Sequence, residues 1–179
     1  MQNKAPQPLL GEAPCYNRYA MRKSMLHTAT VPIQEMILHY LEPERFEESC
    51  RSCENYGINP ACPPHDFDVP EFWKHFAYLD LYALSIPAGD SWEDADQQLT
   101  ERLFSMERTV PGSLCLSSGS GGGLREEGMR YSIQSLGGNV EKLCRELLGI
   151  SLQWAAEGSA PDRLTVVGGL LRGTGETIL

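Results

Sequence analysis

Three of the chain's six cysteines fall within thirteen residues, in the stretch Cys50-Arg-Ser-Cys53-Glu-Asn-Tyr56-Gly57-Ile-Asn-Pro-Ala-Cys62-Pro63-Pro64-His65. Thiolates are ligands for soft and borderline metals, and a C-x2-C turn can point two sulfurs at one ion. Gly57 supplies backbone freedom inside the loop, and Pro63 and Pro64 stiffen the chain as it leaves the third sulfur. The pattern predicts a metal-binding knuckle. Cys50-x-x-Cys53 taken alone also suits thiol exchange, so a dithiol redox pair is the competing chemistry. Three thiolates do not close a tetrahedral site, and two fourth donors present themselves. His65 is the local one, three residues past Cys62; Cys115 is the distant one, on a short apolar stretch expected to be a strand.

The elements that must position this loop follow from patterning. Residues 1–30, rich in Pro, Gln and Asn, are expected to form an irregular N-terminal arm, with residues 31–179 as a single metal-binding domain. Met36, Leu38 and Tyr40 alternate, which predicts a half-buried strand over 33–41. Glu42-Pro43 opens a short helix that delivers Cys50, and Asp68-Val-Pro70 opens another after the loop. Residues 77–87 are nearly all apolar or aromatic and read as a central strand covered on both faces. Ser91 and Asp94 fit a capping pattern ahead of a helix that Pro111-Gly112 ends, and residues 113–117 form a short strand holding Cys115. Asn139 caps a helix with Val140, Leu143, Cys144, Leu147 and Leu148 on one face, which makes Cys144 a core residue. Residues 150–155 and 164–171 are read as a C-terminal hairpin. The expected fold class is α/β, with α+β character: one domain with a mixed sheet, one βαβ crossover over 77–117 and the hairpin.

Composition narrows the function. At 179 residues and 41% hydrophobic content the chain can fold around its own core without disulfides. A formal charge of −9 disfavours a nucleic-acid or anionic-membrane partner. The first residues lack the apolar run of a signal peptide and no stretch is apolar enough to span a bilayer. The expected location is the reducing cytoplasm, where clustered cysteines are metal ligands or redox thiols more often than disulfides. The Gly-Ser run at 117–123 lacks the lysine of a phosphate-binding loop and is read as a mobile connection that binds no nucleotide. His27, His39 and His75 stand alone and are read as surface or packed histidines.

The Cys-x-x-Cys-x-x-Tyr-Gly…Cys-Pro-Pro stretch resembles a family of uncharacterised bacterial and archaeal proteins known as domain of unknown function 2284, described as predicted metal-binding. Met129-Arg-Tyr-Ser132-Ile-Gln-Ser-Leu-Gly137-Gly-Asn-Val140 is similar to a second segment of that family. Relatives carry a second cysteine group just before this segment. Here its first member is Cys115, and the other two positions hold Ser118 and Gly123. The resemblance therefore implies four matching thiols, Cys50, Cys53, Cys62 and Cys115. That number suits one zinc or one iron–sulfur cluster, which sulfur ligation alone does not separate. It implies no established reaction. The leading expectation is a metal-binding protein with one cysteine-rich site and a redox protein partner, in an electron-transfer accessory role. A metal- or thiol-dependent enzyme of unidentified substrate and a metal-free interaction domain are the alternatives.

Overall fold

The nearly all apolar or aromatic stretch 78–87 becomes an inner strand with a neighbour along each edge. The computed structural model describes residues 24–119, 130–153 and 161–173. In chain order its elements are β1 (Met25–Pro32), α1 (Ile33–Tyr40), α2 (Pro43–Cys50), α3 (Val69–Lys74), β2 (Tyr78–Pro87), α4 (Trp92–Thr109), β3 (Leu114–Leu116), α5 (Val140–Leu143) and β4 (Arg163–Arg172). A π-helical turn, Cys144–Leu148, continues α5. The strands form one sheet in the order β1-β2-β4-β3, and all three strand pairings are antiparallel. The fold is thus α/β of α+β character, but the sheet is antiparallel throughout and not mixed, because β2 and β3, the two strands of the expected crossover, are not neighbours. β2 and β3 run in the same direction on either side of β4. The strand–helix–strand passage read from residues 77–117 is present, and β4 fills the slot that it straddles.

Strand alternation sorts the core into two layers. Leu79, Leu81, Ala83, Leu116, Val167 and Leu171 face α1, α3, α5 and the turn containing Ile133 and Leu136; Met36, Trp73 and Leu143 fill that layer. Tyr82, Leu84, Ile86, Cys115, Val166 and Leu170 face the other way, under Ala95, Leu99, Leu103 and Phe104 of α4. Gly168 and Gly169 lie in β4 where both layers come closest. A Cβ on Gly168 would stand 2.7 Å from Leu103 Cδ1, and one on Gly169 would stand 2.7 Å from Leu79 Cδ1. Asp80 stitches the sheet across strands, accepting from Thr30 Oγ1 of β1 at 2.6 Å and from Arg172 Nε of β4 at 2.6 Å.

The helix ends follow their sequence signals. The side chains of Asp68, Ser91 and Asn139 accept from the backbone N–H groups of Glu71, Asp94 and Lys142, at 2.8, 3.1 and 2.9 Å. Gly149 closes the last helical segment with φ +68°.

Three other expectations are corrected. Residues 33–40 are helix α1, because Ile33, Met36, Ile37 and Tyr40 repeat at helical spacing and face the core, whereas Leu38, needed for the alternating reading, is 73% exposed. Residues 25–30, assigned to the irregular arm, belong to β1 and pair with β2 along its whole length; residues 1–23 lie outside the described residues. Residues 150–153 are not a strand, and 154 and 155 lie outside the described residues. The other arm of the expected hairpin is present as β4, but it pairs with β2 and β3.

Gly137 and Gly112 give a test of the packing. Both have left-handed backbone, at φ +73° and +69°. A Cβ at Gly137 would fall 2.7 Å from Pro43 Cα, whereas nothing lies within 4 Å at Gly112. Urea denaturation should show Gly137→Ala losing about 3 kcal/mol and Gly112→Ala only about 1 kcal/mol. Equal losses would mean that the contact with Pro43 carries no weight.

Candidate metal centre

The cysteine loop is a chain of tight turns hung from the end of α2. Cys50 is the last residue of that helix. Cys53 N–H then donates to Cys50 O at 2.8 Å, Tyr56 N–H to Cys53 O at 3.1 Å and Cys62 N–H to Asn59 O at 2.9 Å. Gly57, left-handed at φ +68°, turns its N–H across the loop to Pro63 O at 2.9 Å, so the Cys50–Cys53 limb lies against the Cys62 limb. Glu47 on α2 ties the loop to its helix by accepting from Tyr56 Oη at 2.9 Å and from Arg51 at 3.4 Å.

None of the three loop cysteines is in a disulfide; Cys53 is exposed, and Cys50 and Cys62 are half-buried. Burial first, and then the neighbouring Cys62 and Cys53 sulfurs and Glu47, push the Cys50 thiol above its ordinary range. Burial and then Cys53 push up Cys62. Burial thus disfavours the thiolate forms of Cys50 and Cys62 unless a cation compensates them. Among the described residues no three His, Cys, Asp or Glu side chains converge tightly enough to hold an ion.

The limb after Cys62 is anchored by the segment that carries the second family resemblance. His65 Nε2 lies 2.7 Å from Ser135 O. A carbonyl oxygen only accepts, so Nε2 carries the hydrogen, which leaves Nδ1 as the ring nitrogen able to act as a ligand. The ring stacks on Phe67 with centroids 4.9 Å apart and meets Tyr131 edge-on at 5.3 Å. Residues 132–139 form a tight turn in which Ser132 and Ser135 exchange side-chain-to-backbone hydrogen bonds, both 3.0 Å. Trp73 Nε1 donates to Leu136 O at 2.9 Å, Glu42 N–H to Gly137 O at 2.8 Å and Asn139 Nδ2 to Glu42 Oε1 at 2.9 Å. A cleft of about 160 Å3 runs between the Pro63–His65 limb and this turn, with Glu47 and Gln134 among its walls. The turn was legible as a motif, but its role as the seat of the cysteine loop has no local sequence signal, because its partners lie 63 to 97 residues away.

Cys115 is not brought to this loop. On β3, Leu114 and Leu116 face the layer on which the cysteine loop is seated, and Cys115 points under α4. The sheet thus lies between Cys115 and the other three sulfurs. Cys115 is 2% exposed, and burial, followed by its hydrogen bond to Glu107, pushes its thiol up to about 12, with Arg130 opposing. Arg130 pairs with Glu107 through Nε at 3.1 Å and Nη2 at 2.9 Å, and its guanidinium lies 5.0 Å from the Phe104 ring centre. Ser118 donates to Asp96 on α4. The alternation of Leu114-Cys115-Leu116 is the signal that could have put Cys115 on the far face. The fully buried Cys144 is a core residue, as its helical position predicted. His39 pairs with Glu35 at 3.2 Å on the surface, and His75 Nδ1 lies 2.8 Å from Glu71 O at the end of α3. Cys15, Gly123 and most of the Gly-Ser run, 120–123, lie outside the described residues.

No family model matches the chain, and no curated protein or solved structure matches it either. The resemblance given above rests on the quoted residues alone. No described helix is long and apolar enough to cross a membrane.

The two core thiols make stability depend on alkaline pH. The unfolded chain releases their protons near the ordinary value of 9, and the folded chain holds them to about 12. Their stabilising contribution is complete below pH 9 and declines as pH rises towards 12; three pH units correspond to on the order of 4 kcal/mol per thiol. Urea unfolding in steps above pH 9 should show this fall, with a shallower slope in Cys144→Ala despite its lower starting stability. Parallel slopes would show that Cys144 titrates alike in both states. At neutral pH a thiol-alkylating reagent should label Cys53 ahead of Cys50 and Cys62 and spare Cys115 and Cys144 until the chain unfolds.

Proposed function

We propose that this protein binds one metal ion through Cys50, Cys53 and Cys62, with His65 as the fourth donor, and that the ion is zinc. One observation carries the reading. The Gly57–Pro63 hydrogen bond lays the limb carrying Cys50 and Cys53 against the limb carrying Cys62, so that three free cysteines share one folded loop, while Cys115 stays across the sheet. Three thiolates and an imidazole make a Cys3His set, which suits a closed structural zinc site, whereas an all-cysteine cluster would need a fourth sulfur from elsewhere. The hydrogen bond from His65 Nε2 to Ser135 O supports the reading, since a ligating histidine usually donates its other ring N–H to a backbone carbonyl or carboxylate. The cleft beside His65 favours a second reading. If His65 stays off the metal, the open position faces a walled space, and the site becomes that of a metal-dependent enzyme.

Metal analysis of protein purified without oxygen tests both readings. One zinc per chain is expected. Cys53→Ser and Cys62→Ser should lose most of it, and His65→Ala should weaken binding at least about tenfold. Cys115→Ser and Cys144→Ala should keep it. Full zinc with His65→Ala, accompanied by loss of an activity, would favour the open-site reading. Iron and sulfide in place of zinc, stripped by Cys115→Ser, would overturn the zinc site. Folded protein free of any metal would leave an interaction domain. Hydrogen exchange after chelation should loosen residues 50–66 and leave β2 and β4 protected, because the core packs without the loop.

A further inference from the structure

We propose that Cys50 and Cys53 form a redox-sensitive switch: a peroxide joins them in a disulfide, a thiol reductant restores the dithiol, and the disulfide form releases the metal ion. The release rests on the zinc reading above; the disulfide itself does not. The backbone sets up the pair. Cys53 N–H donates to Cys50 O at 2.8 Å, an i+3 to i bond that closes a four-residue turn. Such a turn keeps its end Cα atoms within about 7 Å, and a disulfide spans Cα separations of about 4.4–6.8 Å. The loop thus holds these two cysteines at a separation that one S–S bond can bridge.

The two thiols differ in reach. Cys53 is exposed, and Asn55 Nδ2 lies 4.0 Å from its sulfur. Cys50 is half-buried at the end of α2. An oxidant arriving from solvent therefore meets Cys53 first, with Cys50 behind it as the resolving thiol. The other described cysteines are placed elsewhere. Cys62 lies on the facing limb, in a turn of its own closed by its N–H to Asn59 O at 2.9 Å. Cys115 and Cys144 are buried in the core.

The chemistry takes two steps. The Cys53 thiolate attacks one oxygen of hydrogen peroxide, the O–O bond breaks, and hydroxide leaves to take a proton from solvent as water. The Cys50 thiolate then attacks the sulfur of the resulting sulfenic acid, the S–O bond breaks, and a second hydroxide leaves as water in the same way. The two sulfurs together lose two electrons, and the peroxide gains them. The hydrogen bonds that seat the loop involve no sulfur: Gly57 N–H to Pro63 O, Tyr56 Oη to Glu47 and His65 Nε2 to Ser135 O. They persist in the oxidised chain. What changes is the donor set, which falls from Cys50, Cys53, Cys62 and His65 to Cys62 and His65, too few to close a tetrahedral zinc site.

Peptide mapping of the full chain tests the switch, with chelator-stripped and zinc-loaded samples each treated with a small excess of hydrogen peroxide. Trypsin cuts after Arg51, between the two cysteines, so an S–S bond holds the two flanking peptides together until it is reduced. That linked pair should form in both samples and vanish on adding dithiothreitol. The loaded sample should pass its zinc to a chromophoric indicator in step with the disulfide, with unchanged circular dichroism. Cys50→Ser should stop at the Cys53 sulfenic acid, which a cyclic dione tags, and Cys53→Ser should give neither product. Cys53 linked to Cys15 or Cys62 instead, or Cys53 driven to sulfinic acid with no linked pair, would overturn the switch while leaving the zinc reading in place. Zinc held in full by the disulfide form would overturn it as well. A chain that takes up no zinc yet forms the linked pair would remove the zinc reading and keep the redox pair.

Discussion

The turn at residues 132–139 is the constraint on which the rest of the site depends. It is small, and its own hydrogen bonds close it: Ser132 and Ser135 satisfy each other's backbone N–H groups, and Gly138 N–H returns to Ile133 O at 2.8 Å. The carbonyls of residues 135–137 accept from elsewhere. Ser135 O takes His65, Leu136 O takes the buried Trp73 indole, and Gly137 O takes the backbone at the start of α2. Three segments distant in sequence are thereby referred to one rigid object. The close approach of Gly137 to Pro43 leaves no slack between this turn and the helix that ends in Cys50. The distance from Cys50 to the Cys62–His65 limb is thus set from both sides, by α2 at one end and by the turn at the other.

This arrangement gives a physical reading of why two separated stretches stand out in one chain. The cysteine stretch supplies donors, and the Met129–Val140 stretch supplies the seat that aligns them. A loop rich in Pro, Asn and Cys has little apolar area of its own, so its order must come from hydrogen bonds to something stiffer. Glu47 and the turn are those stiffer things. The polar group around Cys115 belongs to the opposite face of the sheet. There Glu107, Arg130, Asp96 and Ser118 satisfy one another, in keeping with the demand that buried polar groups find partners.

Much of the fold was legible in the sequence. Capping residues marked the starts of three helices, and the nearly all apolar or aromatic stretch 78–87 marked an inner strand. The chemistry of the cysteine loop was legible because ligand spacing is a local property. What failed was decided at long range or by a choice of period. The stretch from Ile33 to Tyr40 fits both alternation and helical spacing, and only the exposure of Leu38 against the burial of Met36 and Tyr40 separates the two. β1 was missed because its polar outer residues look like an arm until β2 is placed beside it. The position of Cys115 needed the face of β3 as well as its existence. A match of residue types said that the thiol was present, but the parity of a three-residue strand decided which side of the sheet received it.

The slot occupied by β4 has a consequence for the order in which the core can close. No strand pairing joins β2 and β3 directly. The strand that bridges them follows both in the chain, and its Gly168–Gly169 step is where the α4 layer and the opposite layer approach each other. Without residues 163–172 in place, α4 and the helices of the other face lack the strand that joins their layers. The contacts that complete the core are therefore among the most distant in sequence, which makes chain closure a costly step of folding.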